Sequence, residues 1–349
     1  MPQIVQFTSP HRVEVVDQPS SELKPGQLRV RTSFSGISAG TELTAYRGTN
    51  PYLNRAWDPD LRLFVEGTSG LRYPVAGLGY SEVGEVTEVA PDLLDDPEVP
   101  PVGAMVWGIW GHRAEAVLPA ERFRGCVLPE GLDPIAATFA RVGAVALNAV
   151  LAADVHLGEN VAVFGQGVLG LLVTRLAQLS GARVVAVDTV PGRLEKATEY
   201  GAAATVDAAA GGVGAELRRL TGNRGADVAI EMSGSYRALH DAIRAVAVDG
   251  RVVAAGFYQG DGVGLRLGDE FHHNRVQMVS SQIGGVPPAV AGRWNQARLN
   301  HTFLQLAHDR RVDPGGLVSH VIAVEEAAEA YRMLDRRPEE ALQVVLKFS

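Results

Sequence analysis

Between residues 160 and 283, short apolar runs alternate with helical stretches, and this alternation leaves few architectures open. NVAVFG (160–165) reads as a buried strand, and a helix follows over 168–180. ARVVAVD (182–188) reads as a second strand, with a helix over 193–200, and AATVD (203–207) as a third. A helix over 215–221 leads to ADVAIEMSG (226–234), and a helix over 237–247 leads to GRVVAAGF (250–257). VQMVSSQI (276–283) reads as a sixth strand. Strands separated by helices imply βαβ units, because parallel neighbours need a crossover connection. The expectation is an α/β fold with a doubly wound parallel sheet.

The first turn of that unit carries GQGVLG, with Gly165, Gly167 and Gly170 in GxGxxG spacing. In a chain with 39 glycines the spacing alone says little. Its setting says more: it follows an apolar strand, opens an apolar helix, and Asp188 ends the next strand. Gly165 permits the tight turn, Gly167 lets the backbone approach a pyrophosphate, and Gly170 lets helix and strand pack closely. The helix start, at Val168 and Leu169, presents amide donors and the positive end of the helix dipole. Asp188 is expected to accept from the adenosine ribose hydroxyls and to repel a 2′-phosphate, which favours NAD(H) over NADP(H). Arg193, five residues on, partly offsets that repulsion and keeps NADP(H) open. Asn148, Ser233, Phe257 and Tyr258 complete the expected cofactor set, the last three because ligands bind at strand C-terminal ends in such sheets.

Outside this region the texture changes. VRTSFSGIS (30–38), GEVTEVA (84–90) and AEAVLPA (114–120) read as strands between Pro and Gly punctuation. An Ala-rich stretch over 136–153 reads as one long helix, 325–336 as an amphipathic helix and 341–348 as a terminal strand. A chain of 349 residues suggests two domains. Its formal net charge of −8 argues against a general nucleic-acid binder. The single cysteine, Cys126, excludes an intramolecular disulfide and fits a reducing cytoplasm. Neither a signal peptide nor a membrane span is expected.

GISAGTEL (36–43), GYSEVGEV (79–86), the glycine motif and EEAAEAYRML (325–334) stand in an order that resembles the medium-chain dehydrogenase/reductase superfamily along nearly the whole chain. The resemblance implies a GroES-like β-rich catalytic domain over 1–142 and 286–349, and a Rossmann domain over 143–285. It implies hydride transfer with a nicotinamide cofactor and an active site in the cleft. The edge strand near 276–283 resembles the superfamily's dimerisation edge, so a homodimer is expected. GISAGTE, GYSEVG, EFHHNR and SSQIG resemble a zinc-independent branch that includes bacteriochlorophyllide a dehydrogenase-like enzymes and sugar and cyclitol dehydrogenases of secondary metabolism.

Zinc members carry Cys where this chain has Ser38, Gly-His-Glu where it has Gly79, Tyr80 and Ser81, and often an acid or thiol where it has Arg141. These are poor zinc ligands, and four-cysteine structural zinc is impossible with one Cys. The expectation is therefore no zinc. His112, His272 and His273 lack a companion ligand set, and adjacent His272 and His273 would point to opposite faces of a strand. Without a metal, protein donors must stabilise the substrate oxygen and move a proton. Tyr80, Ser38, Glu42, Arg141 and Glu66 are the candidates. For Glu66 a solvated surface carboxylate is the favoured reading. Ser81 is a further candidate donor.

The expected reaction joins a nicotinamide and a polar secondary alcohol or ketone, such as a cyclitol or amino-sugar intermediate. Glu42, Asp58, Asp60 and Glu66 would suit a cationic amino sugar. The rivals are an NADPH-dependent ketone, enone or quinone reductase and a non-catalytic nucleotide-binding protein.

Overall fold

The computed structural model describes residues 1–349. They form two compact units, Met1–Arg141 with Asp313–Ser349, and Val142–Val312.

The first unit is β-rich. One sheet runs Val318–Ala323, Gln343–Lys347, Gln27–Gly36, Glu82–Val89 and Met105–Gly108, and Glu115–Pro119 also pairs with Gln27–Gly36. A smaller sheet orders Arg12–Asp17, Gln3–Ser9 and Val75–Ala76. Period-two alternation explains the packing. Leu28 and Val30 turn inward with Val86, Val106 and Phe123, while Arg29 and Arg31 turn outward to Glu88, Glu115 and Glu85. A second core joins Phe7, Tyr46 and Tyr331, with the Phe7 and Tyr331 rings edge-on at 4.9 Å. The hairpin Arg55–Asp58 with Leu63–Glu66 forms a separate two-stranded sheet.

The second unit holds a six-stranded parallel sheet in the order Ala204–Asp207, Arg183–Asp188, Asn160–Phe164, Ala226–Glu231, Val246–Ala254, Gln277–Ser280. All six anticipated strands are present. Val161, Ala162 and Val163 are fully buried, as expected for a central strand covered on both faces. No helix is long and apolar enough to cross a membrane.

Three expectations differ from the structure. The second unit continues past 285 to Val312, because the helix Gln296–His308 packs into it. Phe303 lies so close to Gly143 that a Cβ there would stand 2.1 Å from the ring. The helix expected over 136–153 is two, Pro134–Ala137 and Ala140–Ala153. Thr138 ends the first by donating its hydroxyl to Ile135 O at 2.6 Å, a local bond that competes with helix continuation. His272 and His273 lie in an exposed helical turn rather than a strand, with His273 Nδ1 3.0 Å from Asp269 O.

Candidate active site

The glycine loop leaves the strand Asn160–Phe164 at Gly165, whose φ of +83° is the left-handed region. A Cβ on Gly170 would lie 1.7 Å from Gly165 O, so only glycine lets the helix Val168–Leu179 start this close to the turn. Gly167 is the residue before that helix, and its missing Cβ would face open space. Backbone amides of Val168 and Leu169 belong to the first turn, where no intrahelical acceptor exists. A surface without side chains, lined by such donors, fits a dinucleotide pyrophosphate.

Asp188 sits beside this loop and is 8% exposed. Its carboxylate accepts from Gln166 N at 2.5 Å and Val190 N at 2.9 Å. Those bonds hold the glycine turn against the second strand, and each oxygen keeps a lone pair for a ribose hydroxyl. Arg193 is half-buried in the first turn of the helix Pro191–Glu199.

Sequence reasoning missed Glu231, the last residue of the fourth sheet strand. Its Oε1 accepts from Ser233 N at 2.7 Å and from the Ser233 hydroxyl, and its Oε2 from Gly234 N and the Tyr258 hydroxyl. Burial pushes its carboxyl up, against the pull of these bonds. Ser233 and Tyr258 thus use their hydroxyls to brace two strand-end loops, while Phe257 remains 41% exposed. The one available signal was an acid ending a buried apolar run. Asn148, only 2% exposed, donates to Ser281 Oγ, Gln282 O and Gly285 O, so it pins the segment after the sixth strand. Its Oδ1 is buried without a partner.

In the β-rich unit, Ser38 precedes the helix Ala39–Arg47, and its hydroxyl is hydrogen-bonded to that of Tyr80. Tyr80 follows Gly79, whose φ is +111° and whose absent Cβ would collide with Glu82 and His112. Burial raises the Tyr80 phenol above its ordinary range, against hydrogen bonds from Ser38 and Thr41 and the field of Arg141. The phenol therefore holds its proton at neutral pH. Arg141 is itself shifted down by burial and up by Tyr80, and an arginine keeps its charge. Ser81 is 4% exposed, with a buried hydroxyl lacking any partner.

Glu42 stands elsewhere than expected. It is 1% exposed, accepts from Ser38 N at 2.7 Å, and also binds His112 and the Tyr331 hydroxyl. His112 Nδ1 meets Ser35 Oγ at 2.6 Å, and Ser35 donates to Glu82 Oε1 at 3.0 Å. Glu42 is therefore the hub of a buried polar cluster and does not present an oxygen to a substrate. Glu66 is 77% exposed, 3.7 Å from Arg55, in line with the surface reading. Asp58 is taken up by its own turn, accepting from Asp60 N and Leu61 N. Glu42 is sealed in the core while Glu66 is exposed on the hairpin, so these two do not face one cationic amino sugar together.

The positions where the resemblance places zinc ligands offer two hydroxyls already bonded to each other, a third hydroxyl and a guanidinium. That donor set does not fit a zinc ion, which takes thiolate, imidazole or carboxylate. His112, Glu42 and Glu82 are tied up in their own hydrogen-bonded cluster, and no group of three or more His, Cys, Asp or Glu is arranged to hold a metal.

Residues 168–297 match the zinc-binding dehydrogenase family. The chain is 27% identical to D-guloside 3-dehydrogenase of Escherichia coli (strain K12), over 98% of both proteins. It is 25% identical to an alcohol dehydrogenase of Cupriavidus necator, over 98% of this chain and 97% of that one. Among solved structures, 2R,3R-butanediol dehydrogenase from Bacillus subtilis superposes with a TM-score of 0.80 at 21% identity, covering 99% of each chain.

Proposed function

We propose that this chain, a member of the medium-chain dehydrogenase/reductase superfamily, is a zinc-independent, NAD(H)-preferring dehydrogenase of polar secondary alcohols, sugars or cyclitols. The observation that carries the reading is the Ser38–Tyr80 hydroxyl pair, beside Arg141, at positions where zinc members place ligands.

A nicotinamide dinucleotide held by the Gly165–Gly170 loop and Asp188 would supply or accept the hydride. The chain's own residues must then manage the charge on the substrate oxygen and one proton. In ketone reduction the protonated Tyr80 hydroxyl gives its proton to the developing alkoxide. Ser38 orients the phenol, and Arg141 stabilises the negative charge left behind. In alcohol oxidation the phenol first gives its proton to solvent through the Ser38 hydroxyl, and the resulting phenolate takes the proton of the alcohol. Asp188 supports NAD(H), since a 2′-phosphate beside a buried carboxylate would be repelled. The relative named D-guloside 3-dehydrogenase supports a sugar-derived alcohol as substrate. A homodimer is supported by the edge strand Gln277–Ser280, which leaves Met278 42% and Val279 37% exposed.

The test is a fluorescence titration of chelator-treated protein with NADH and NADPH, followed by oxidation assays on a panel of diols, polyols and glycosides. Tight NADH binding with turnover that survives chelation is expected. Binding of neither cofactor overturns the dehydrogenase reading. Activity lost on chelation and restored by zinc overturns the metal-free part alone.

A further inference from the structure

The β-rich unit contains a second feature, apart from the hydroxyl pair. A cleft of about 320 Å³ opens between the loop after strand Arg12–Asp17, the Gly77–Gly79 segment and strand Glu115–Pro119. That volume lies at the lower end of what small-molecule sites use. Arg113 lines it. The guanidinium is half-buried, its Nε is fully buried and meets no hydrogen-bond acceptor, and it makes no ion pair.

The backbone is shaped around this side chain. A Cβ on Gly77 would stand 2.3 Å from Arg113 Nη2, and a Cβ on Gly111 would strike Gly77 O at 2.5 Å. Both glycines have positive φ, +75° and +77°. Two special backbone positions therefore make room for a charged head that the protein itself does not satisfy. A second guanidinium, Arg122, lines the same cleft and donates only to Ile109 O, at 2.7 Å. The carboxylate in the lining, Glu115, is already matched by Arg29 and Ser20. Glu82, whose field reaches Arg113, is buried within its own cluster. The cleft is thus a cationic spot on a chain with a net charge of −8.

We propose that this cleft binds a small organic anion, whose carboxylate or phosphate group pairs with the Arg113 guanidinium while Arg122 meets it from the rim. Arginine's planar fork matches either oxyanion in two-pronged fashion. The terminal nitrogens supply the reason: the protein gives them no hydrogen bond or ion pair and, unlike Nε, they are not sealed from the cleft, so a ligand oxygen can meet them. The inference is independent of the hydride chemistry.

The test is calorimetric titration of the full chain, saturated with NADH to fill the dinucleotide loop, with succinate in one arm and inorganic phosphate in the other. One saturable site is expected, and the stronger arm identifies the oxyanion. Arg113→Gln should weaken it by at least about tenfold, the size of a lost charged hydrogen bond, and Arg122→Gln by less. No saturable binding by either anion up to about 20 mM, some twentyfold weaker than a millimolar site, overturns the proposal. Undiminished binding by Arg113→Gln overturns it equally. Should that variant not fold, selenate-soaked crystals of the unchanged chain decide. An anomalous peak against Arg113 supports the site. No peak there, or a peak with no binding in solution (an adventitious ion only), overturns it.

Discussion

His112 Nε2 lies 2.8 Å from Glu42 Oε2, although each side chain is only 1% exposed. Burial alone would raise the Glu42 carboxyl. The charge and hydrogen bond of His112, with the bonds from Tyr331 and Ser38, outweigh it and hold Glu42 below its usual range. Burial would likewise lower His112, but the charge and hydrogen bond of Glu42 and the charge of Glu82 hold it above the usual histidine range. Glu82 is raised by burial despite His112 and the Trp110 amide.

These directions set the pH dependence of stability. His112 contributes in full below its unfolded value of 6.5, and that contribution is lost as pH rises through the higher folded value. Glu82 acts in the same sense from 4.5 upward, because the fold favours its protonated form. Glu42 acts oppositely: its contribution is present above 4.5 and lost as pH falls through its lower folded value. Urea midpoints measured from pH 5 to 9 should therefore decline as pH rises above about 6.5. His112→Gln should flatten that decline and cost about 3–5 kcal/mol, since it strands a buried carboxylate. A midpoint that stays level or climbs above about pH 6.5 in the unchanged protein would show that the fold does not hold His112 charged.

Removing the Tyr80 hydroxyl is the direct assay of the proposed chemistry. Tyr80→Phe should lower kcat by about 100-fold or more with NADH affinity unchanged, as expected for a positioned proton donor. Ser38→Ala should have a smaller effect in the same direction. Full turnover in Tyr80→Phe would remove the phenol from the mechanism.

Asp188→Ala should weaken NADH by about tenfold or more and leave NADPH the same or tighter, because the ribose acceptor and the repelling charge vanish together. Paired fluorescence titrations read both. Equal weakening of the two cofactors would mean that Asp188 acts only by holding Gln166 N and Val190 N.

Glu231→Gln places an amide NH2 where two donors now point. It should lower stability by about 1–3 kcal/mol and weaken NADH through the loops bearing Ser233 and Tyr258. Thermal unfolding with and without NADH separates the two effects. An unchanged melting temperature would mean that the loops do not depend on this carboxylate.

Met278→Lys with Val279→Asp places charges on the exposed edge strand. Light scattering after gel filtration should show a dimer for the unchanged chain and a monomer for the variant. A dimer that persists would move the interface elsewhere.

The Rossmann sheet and its glycine loop were legible in the chain because their signals are local. Apolar runs of strand length, the GQGVLG turn and Asp188 lie within about thirty residues of one another, and each fixes backbone geometry by its own sterics. The hydroxyl pair was readable only through resemblance, since Ser38 and Tyr80 are far apart in sequence. What tertiary structure alone decided is burial and partnership. Glu42 reads as a site acid but closes on His112 and Tyr331 inside the core, and Glu231 reads as the end of a strand but braces two loops. Arg113 carries no signal in the sequence, yet the fold leaves its Nε buried without an acceptor. A residue's type states what it can bond to; which bonds form depends on neighbours distant in the chain, and packing brings those together.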